Sequence, residues 1–138
     1  MRRIALLFIA LCLSLPALAE RKQSFGDLDV HYSAFNSSFL QPEIAAAAGL
    51  SRGKQQGVLN IAVLKAGQPT AAVVSGEVRN LLGQVRSLSF KQVSEGEAIY
   101  YLAQFPIEQQ EMLRFSLKIQ TDGGNTHSLD FNQELFPD

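Results

Sequence analysis

The dominant pattern after the first twenty residues is an alternation of apolar and polar positions with a period of two. Such alternation is typical of strands that bury one face. It begins with Leu28, Val30, Tyr32 and Ala34, which alternate with polar side chains and are predicted to point inward. The other predicted strands are a nearly continuous apolar run at 58–65 and segments at about 71–78, 84–93, 98–105, 113–119 and 128–132.

One segment breaks this pattern and predicts a helix. Pro42 stands where helices accept proline, alanines follow, and Gly49 stands where a helix would end. We therefore expect one short helix from Pro42 to Ala48, inserted after the first strand, and a single helical turn near 106–111. The predicted fold class is all-β, an immunoglobulin-like β-sandwich of about seven strands, with a small barrel as the alternative.

The N-terminus has the layout of a secretory signal. Arg2 and Arg3 precede an apolar run from Ile4 to Leu13, and Ala17-Leu18-Ala19 fits the small-x-small cleavage pattern. The run is too short for a membrane span, which needs about 20 residues. We expect cleavage after Ala19, so that residues 1–19 are a signal peptide and 20–138 a single domain in the periplasm without a membrane anchor.

Charge and cysteine usage narrow the partners of the mature chain. Cys12 is the only cysteine and lies inside the apolar run, so it is expected to leave with the signal. Loss of Arg2 and Arg3 lowers the basic residues from 12 to 10 against 13 acids, a formal charge of −3. The basic residues are also scattered, so we expect no nucleic-acid partner.

The remaining side chains do not favour a particular chemistry. His31 and His127 are the two histidines and lie far apart in sequence, so we expect no bound metal and no cofactor. The chain contains no Gly-x-Ser-x-Gly motif and no glycine-rich phosphate loop. These features favour a non-catalytic binding or protein-interaction module; the alternative is a metal-accessory protein or small enzyme centred on His31.

The segment from His31 to Pro42 is the one unusual cluster of side chains, because it combines imidazole, hydroxyl, amide and aromatic groups. The simpler interpretation is structural, since Asn and Ser side chains bond the local backbone in turns. If the protein has a partner surface, we expect it to combine this segment with the polar loop 51–57. The predicted surface residues are His31, Ser33, Asn36, Ser37, Arg52 and Lys54.

The strings HYSAFNSSFLQPEIAAAAGL at 31–50 and GVLNIAVL at 57–64 resemble the signature of a family of small exported bacterial proteins classed as domain of unknown function 4426. The resemblance covers essentially the whole mature chain. It implies export and a single compact domain. It implies no activity, so no residue role is carried over.

Overall fold

The computed structural model describes residues 21–137, which form ten strands and one short α-helix. The predicted signal peptide, with Cys12 and the cleavage site at Ala19, lies outside the described residues. The strands are β1 (Arg21–Phe25), β2 (Leu28–Asn36), β3 (Gln56–Lys65), β4 (Gln68–Pro69), β5 (Ala72–Arg79), β6 (Val85–Leu88), β7 (Lys91–Glu95), β8 (Ala98–Pro106), β9 (Glu111–Thr121) and β10 (Thr126–Leu135). A 3₁₀ turn (Ser37–Phe39) and helix α1 (Pro42–Ala48) lie between β2 and β3.

The strands form two antiparallel sheets that face each other. The first sheet has the order β1-β2-β3-β8-β7, with β4 paired to β3, and the second has the order β10-β9-β5-β6. The fold is therefore an all-β sandwich with one short helix, as the alternation predicted. Between β6 and β7 the chain passes from the second sheet to the first. These two consecutive strands are therefore edge strands of different sheets.

The main core lies between the sheets and is aliphatic and aromatic. The residues predicted to point inward on β2, namely Leu28, Val30, Tyr32 and Ala34, are all buried in it. The alternation in β9 is confirmed in the same way. Its inward residues Leu113, Phe115, Leu117 and Ile119 are at most 3% exposed, whereas Lys118 is exposed. Phe115 stacks on Phe131 with ring centroids 4.9 Å apart, which joins β9 to β10 inside the core.

A second, smaller core lies on the outer face of the first sheet, where helix α1 covers part of it. Ala45 and Ala48 of the helix pack with Val58, Val93 and Leu102 of the sheet. Small alanine side chains allow the helix to approach the sheet closely. Gly49 ends the helix in the left-handed conformation (φ 67°) that glycine adopts without strain, so both predicted ends of α1 are confirmed.

The strand count differs from the seven expected, for identifiable reasons. The predicted strand 84–93 divides into β6 and β7 because the chain changes sheets there. Strand β1 was not predicted because its sequence, RKQSF, has little apolar alternation, and β4 was not predicted because it has only two residues, Gln68 and Pro69. The helical turn expected near 106–111 is wrong. β8 continues to Pro106, and the buried Ile107 donates its N–H to the carbonyl of Gln55 at 2.8 Å, which holds this segment extended beside the loop.

Candidate functional site

A hollow lies on the outer face of the first sheet, beside helix α1. Its volume is about 570 Å³. The exposed side of the sheet forms its floor, and the 3₁₀ turn and helix α1 form one wall. We call it the outer-face hollow; its lining residues are Ser33, Ala34, Phe35, Phe39, Leu40, Gln41, Ile44, Asn60, Glu95, Tyr100 and Leu102.

The floor of the hollow follows directly from strand register. Ser33 on β2 lies opposite Asn60 on β3, and Asn60 lies opposite Leu102 on β8. Because neighbouring strands place paired residues on the same face, these three side chains form one row across the sheet. Ser33, predicted as a surface residue, therefore lines the hollow.

Asn60 carries the most unusual feature of the site. Its Oδ1 atom is buried and accepts no hydrogen bond from any residue in the range 21–137. A buried acceptor without a partner costs about 1–3 kcal/mol. Its neighbours in the row, Ser33 and Leu102, leave this amide between a hydroxyl and an apolar side chain.

The wall of the hollow is apolar and partly open to solvent. Phe35, Ile44 and Leu40 belong to the small core beneath the helix. Phe39, at the end of the 3₁₀ turn, is 74% exposed and stands at the rim. The polar rim residues are Gln41 and Glu95.

Asn36 and Ser37 are buried where β2 ends and the 3₁₀ turn of this wall begins. The Asn36 side chain donates to the carbonyls of Lys54 (2.8 Å) and Phe136 (3.2 Å) and accepts from the Ser38 N–H (2.9 Å). Ser37 is fully buried, and its Oγ donates to the Gly53 carbonyl and accepts from the Gly53 N–H, both at 2.9 Å. These bonds fasten the loop 51–57 to the end of β2, which is the structural role that Asn and Ser take in turns.

Arg52 and Lys54 lie on the loop that those bonds hold. The Arg52 guanidinium donates to the Ser38 carbonyl at 3.0 Å, and both side chains are exposed. Lys54 borders a shallow depression with Gln55 and Pro137, separate from the outer-face hollow. The loop 51–57 therefore lies beside Asn36 and Ser37, at the C-terminal end of β2. Ser33 lies further from the loop, toward the N-terminal end of that strand.

His31 lines a smaller hollow of about 180 Å³ farther along the same sheet face, together with Ala62, Leu64 and Pro69. Tyr100 lines both hollows, so the two are neighbours. His127 lies on the second sheet and stacks on Phe25, with ring centroids 4.6 Å apart. Within residues 21–137, no three His, Cys, Asp or Glu side chains come close enough to hold a metal ion.

Sequence reasoning missed two residues of the floor, Asn60 and Leu102, and the lining residue Tyr100. Asn60 left a detectable signal, since it is the single polar residue in the run VLNIAVL. A polar side chain in a strand predicted to be buried needs a partner or a function. Tyr100 and Leu102 left no such signal. Alternation of apolar and polar residues does not show whether an apolar strand face packs between the two sheets or lies under a helix on the outside of one sheet.

Comparison with known proteins supports the fold and points to one family. The sequence profile of the family described as domain of unknown function (DUF4426) matches residues 22–138. The crystal structure of a DUF4426 family protein from Pseudomonas aeruginosa has a TM-score of 0.85 and 51% identity, and the match covers 88% of this chain and 98% of that one. None of the curated proteins compared with this chain matches it.

Two more distant structures share the fold. FetP of uropathogenic Escherichia coli, recombinantly expressed in the periplasm of E. coli for its crystal structure, has a TM-score of 0.63 and 11% identity, covering 84% of this chain and 93% of that one. A copper-bound variant of FetP gives a TM-score of 0.64 at 11% identity, covering 84% and 94%. At this identity the likeness concerns the fold alone. In residues 21–137 no helix is long and apolar enough to span a bilayer.

Proposed function

Since the chain belongs to the DUF4426 family, whose function is not known, we propose from its own residues that it is a non-catalytic binding module of the periplasm. Its binding site is the outer-face hollow. The single observation that carries this proposal is the buried, unpartnered Oδ1 of Asn60 on the floor of that hollow.

The dimensions and composition of the hollow support a small-molecule ligand. Ligand sites in proteins are concavities of about 300–1,000 Å³, lined mostly by apolar side chains with a few polar groups that fix orientation. The outer-face hollow has about 570 Å³ and combines Phe35, Ile44 and Leu102 with the Asn60 amide and the Ser33 hydroxyl. It meets both criteria.

The chemistry of the lining indicates the class of ligand. An apolar body fits against Phe35, Phe39 and Leu102. A single N–H or O–H donor on that body would bond Asn60 Oδ1 after a small reorientation of the amide and would remove the cost of leaving it unpaired. The ligand is therefore an amphipathic molecule with an apolar framework and at least one hydrogen-bond donor.

The periplasmic location rests on the N-terminal sequence. The basic start, the apolar run and Ala17-Leu18-Ala19 together favour export and cleavage. The alternative centred on His31 receives less support, because the other residues that line its smaller hollow are apolar except for Tyr100.

A fluorescence titration tests the proposal. N-phenyl-1-naphthylamine is an apolar probe with one N–H donor, and its emission rises in an apolar site. We expect saturable binding to the mature protein and at least about tenfold weaker binding to Asn60→Leu, as for removal of a specific polar contact worth about 1.4 kcal/mol.

Gln104→Leu is the matched control. Gln104 is on β8, also on the outer face, but it does not line the hollow and its amide is satisfied by Ser51. Its substitution should leave the affinity for the probe unchanged. Equal affinity of the wild type and Asn60→Leu, or no saturable binding, would overturn the proposal.

A further inference from the structure

Strand pairing in the first sheet is interrupted next to the outer-face hollow. On one side, β3 pairs with β2 along nearly its whole length. On its other side, pairing with β8 ends at Ile61, and pairing with β4 begins only at Leu64, opposite Pro69. No strand of the described residues pairs with β3 at Ala62 on this side. The interruption leaves room for a depression between β8 and β4.

The smaller hollow of about 180 Å³ lies at this interruption. Ala62, Leu64 and Pro69 line it from β3 and β4, and Ala98 and Ile99 line it from β8. We call Ala62, Leu64 and Pro69 the apolar strip. The solvent-facing side of an antiparallel sheet is usually polar, yet these three side chains are apolar, half-buried and outside the small core beneath helix α1. The strip therefore remains partly in contact with solvent.

The apolar strip continues the floor of the outer-face hollow. Asn60, Ala62 and Leu64 are alternate residues of β3, so their side chains lie on the same face of the sheet. Alternate residues are about 7 Å apart along a strand, and the path from Asn60 to Leu64 is therefore about 14 Å long. Tyr100 lines both hollows. The two hollows thus share a floor along β3 and one wall residue.

The two ends of this path differ in polarity. At one end are the Ser33 hydroxyl and the buried acceptor Oδ1 of Asn60. At the other end are Leu64 and Pro69, which offer only apolar side-chain surface. The short side chain of Ala62 lies on the floor between them and leaves the path open. A long path with a polar end and an apolar end fits an elongated amphiphile.

The charged side chains beside the smaller hollow are mixed in sign. Asp29, Lys22 and Glu95 are strand partners of residues that line it. The imidazole of His31 also lines it. Because acidic and basic groups both flank the smaller hollow, they do not select a charged group there, and the apolar side chains determine what fits.

We propose that the ligand is a linear alkyl amphiphile whose donor head bonds Asn60 and whose tail lies along the apolar strip. This inference rests on the proposed function and names the class of ligand for that site. A compact ligand would fill only the outer-face hollow and leave the strip in water. A linear chain also covers the strip, and each methylene that it buries strengthens binding about fourfold, the equivalent of about 0.8 kcal/mol.

Competition with primary alcohols of increasing length tests the proposal. N-phenyl-1-naphthylamine is first bound to the mature protein and then displaced by hexanol, octanol or decanol, each of which carries one O–H donor. We expect the affinity of the alcohol to increase about fourfold for each added methylene up to decanol. The probe has two aromatic groups and no chain, so its own binding reports the outer-face hollow.

Two substitutions fill the smaller hollow and leave Asn60 in place. Ala62→Phe fills it from β3 and Ala98→Phe from β8, and each should remove the gain from hexanol to decanol without changing the affinity for the probe. Ala98→Phe decides the test if circular dichroism shows that Ala62→Phe does not fold. Ala47→Phe is the matched control, because Ala47 is exposed on α1 and lines neither hollow; it should keep the full gain.

The outcomes separate this inference from the proposed function. Equal affinity for hexanol and decanol, while the probe binds through Asn60, would overturn the inference and leave the proposed function intact. An undiminished gain with chain length in the folded Ala62→Phe or Ala98→Phe variants would do the same. Absence of saturable probe binding would instead overturn the proposed function, and the inference with it.

Discussion

Replacing Asn60 by leucine should stabilise the protein, although the change removes a side chain of the proposed site. Leucine has the same number of side-chain heavy atoms as asparagine and nearly the same shape. It would stand beside Leu102 on the sheet face without a buried, unpartnered oxygen. Removing the orphaned acceptor should recover about 1–3 kcal/mol.

The expected change in melting temperature follows from the size of the domain. Unfolding entropy near 60 °C is about 2.1 cal/mol/K per residue, so for the described residues 1 kcal/mol corresponds to about 4 °C. Asn60→Leu should therefore raise the Tm by about 4–12 °C, measured by circular dichroism at 222 nm or by calorimetry. The same variant should bind the naphthylamine probe less tightly, so stability and binding change in opposite directions.

Gln104→Leu provides the contrast. The Gln104 amide donates to the Ser51 carbonyl at 2.5 Å and accepts from the Ser51 N–H at 3.4 Å. Its loss should lower stability by about 0.5–1.5 kcal/mol, the usual net contribution of a hydrogen bond. If Asn60→Leu also lowers the Tm, the Asn60 oxygen is satisfied in the native protein and the reasoning about the site is wrong.

Four further predictions follow from the packing, the turn, the N-terminus and the histidines. Phe115→Ala should lower the free energy of unfolding by about 2–5 kcal/mol, and Lys118→Ala by less than about 0.5 kcal/mol, in urea titrations; similar losses would contradict the observed register. Asn36→Ala should cost about 1–3 kcal/mol, because it leaves the Lys54 and Phe136 carbonyls without their donor; an unchanged Tm would show that the turn does not depend on these bonds. Intact-mass measurement of the exported protein should place the mature N-terminus at Glu20, and a mass that retains residues 1–19 would refute cleavage there. Elemental analysis of protein purified without a histidine tag should find no stoichiometric zinc or copper; a metal that is lost on His31→Ala would instead support the His31 alternative.

The sequence predicted the secondary structure well where local pattern and tertiary structure agree. Alternation gave the inward faces of β2 and β9, since burial on one face imposes a period of two. Proline, alanines and Gly49 gave both ends of α1, because helix ends have local chemical requirements. The division of 84–93 into β6 and β7 was not predictable from pattern, since changing sheets at Ser89 and Phe90 depends on how the two sheets pack.

The candidate site was predicted less completely, for a related reason. Ser33 could be placed on the exposed side of β2, and the structure places it in the outer-face hollow. Asn36 and Ser37 lie in buried hydrogen bonds that only the fold brings together, across 18 residues to Lys54 and 16 to Gly53. Asn60, Tyr100 and Leu102 became neighbours of Ser33 through strand order, which alternation does not specify.

The central claim is that the outer-face hollow binds an amphipathic ligand through Asn60. A ¹H–¹⁵N correlation NMR titration of the mature protein with N-phenyl-1-naphthylamine tests this claim most directly, because it reports the contact residue by residue. The account predicts saturable shifts at Ser33, Asn60, Tyr100 and Leu102 and in the Asn60 side-chain amide, with Lys118 on the second sheet unaffected. Saturable shifts confined to another surface, or none at any of these positions, would contradict it.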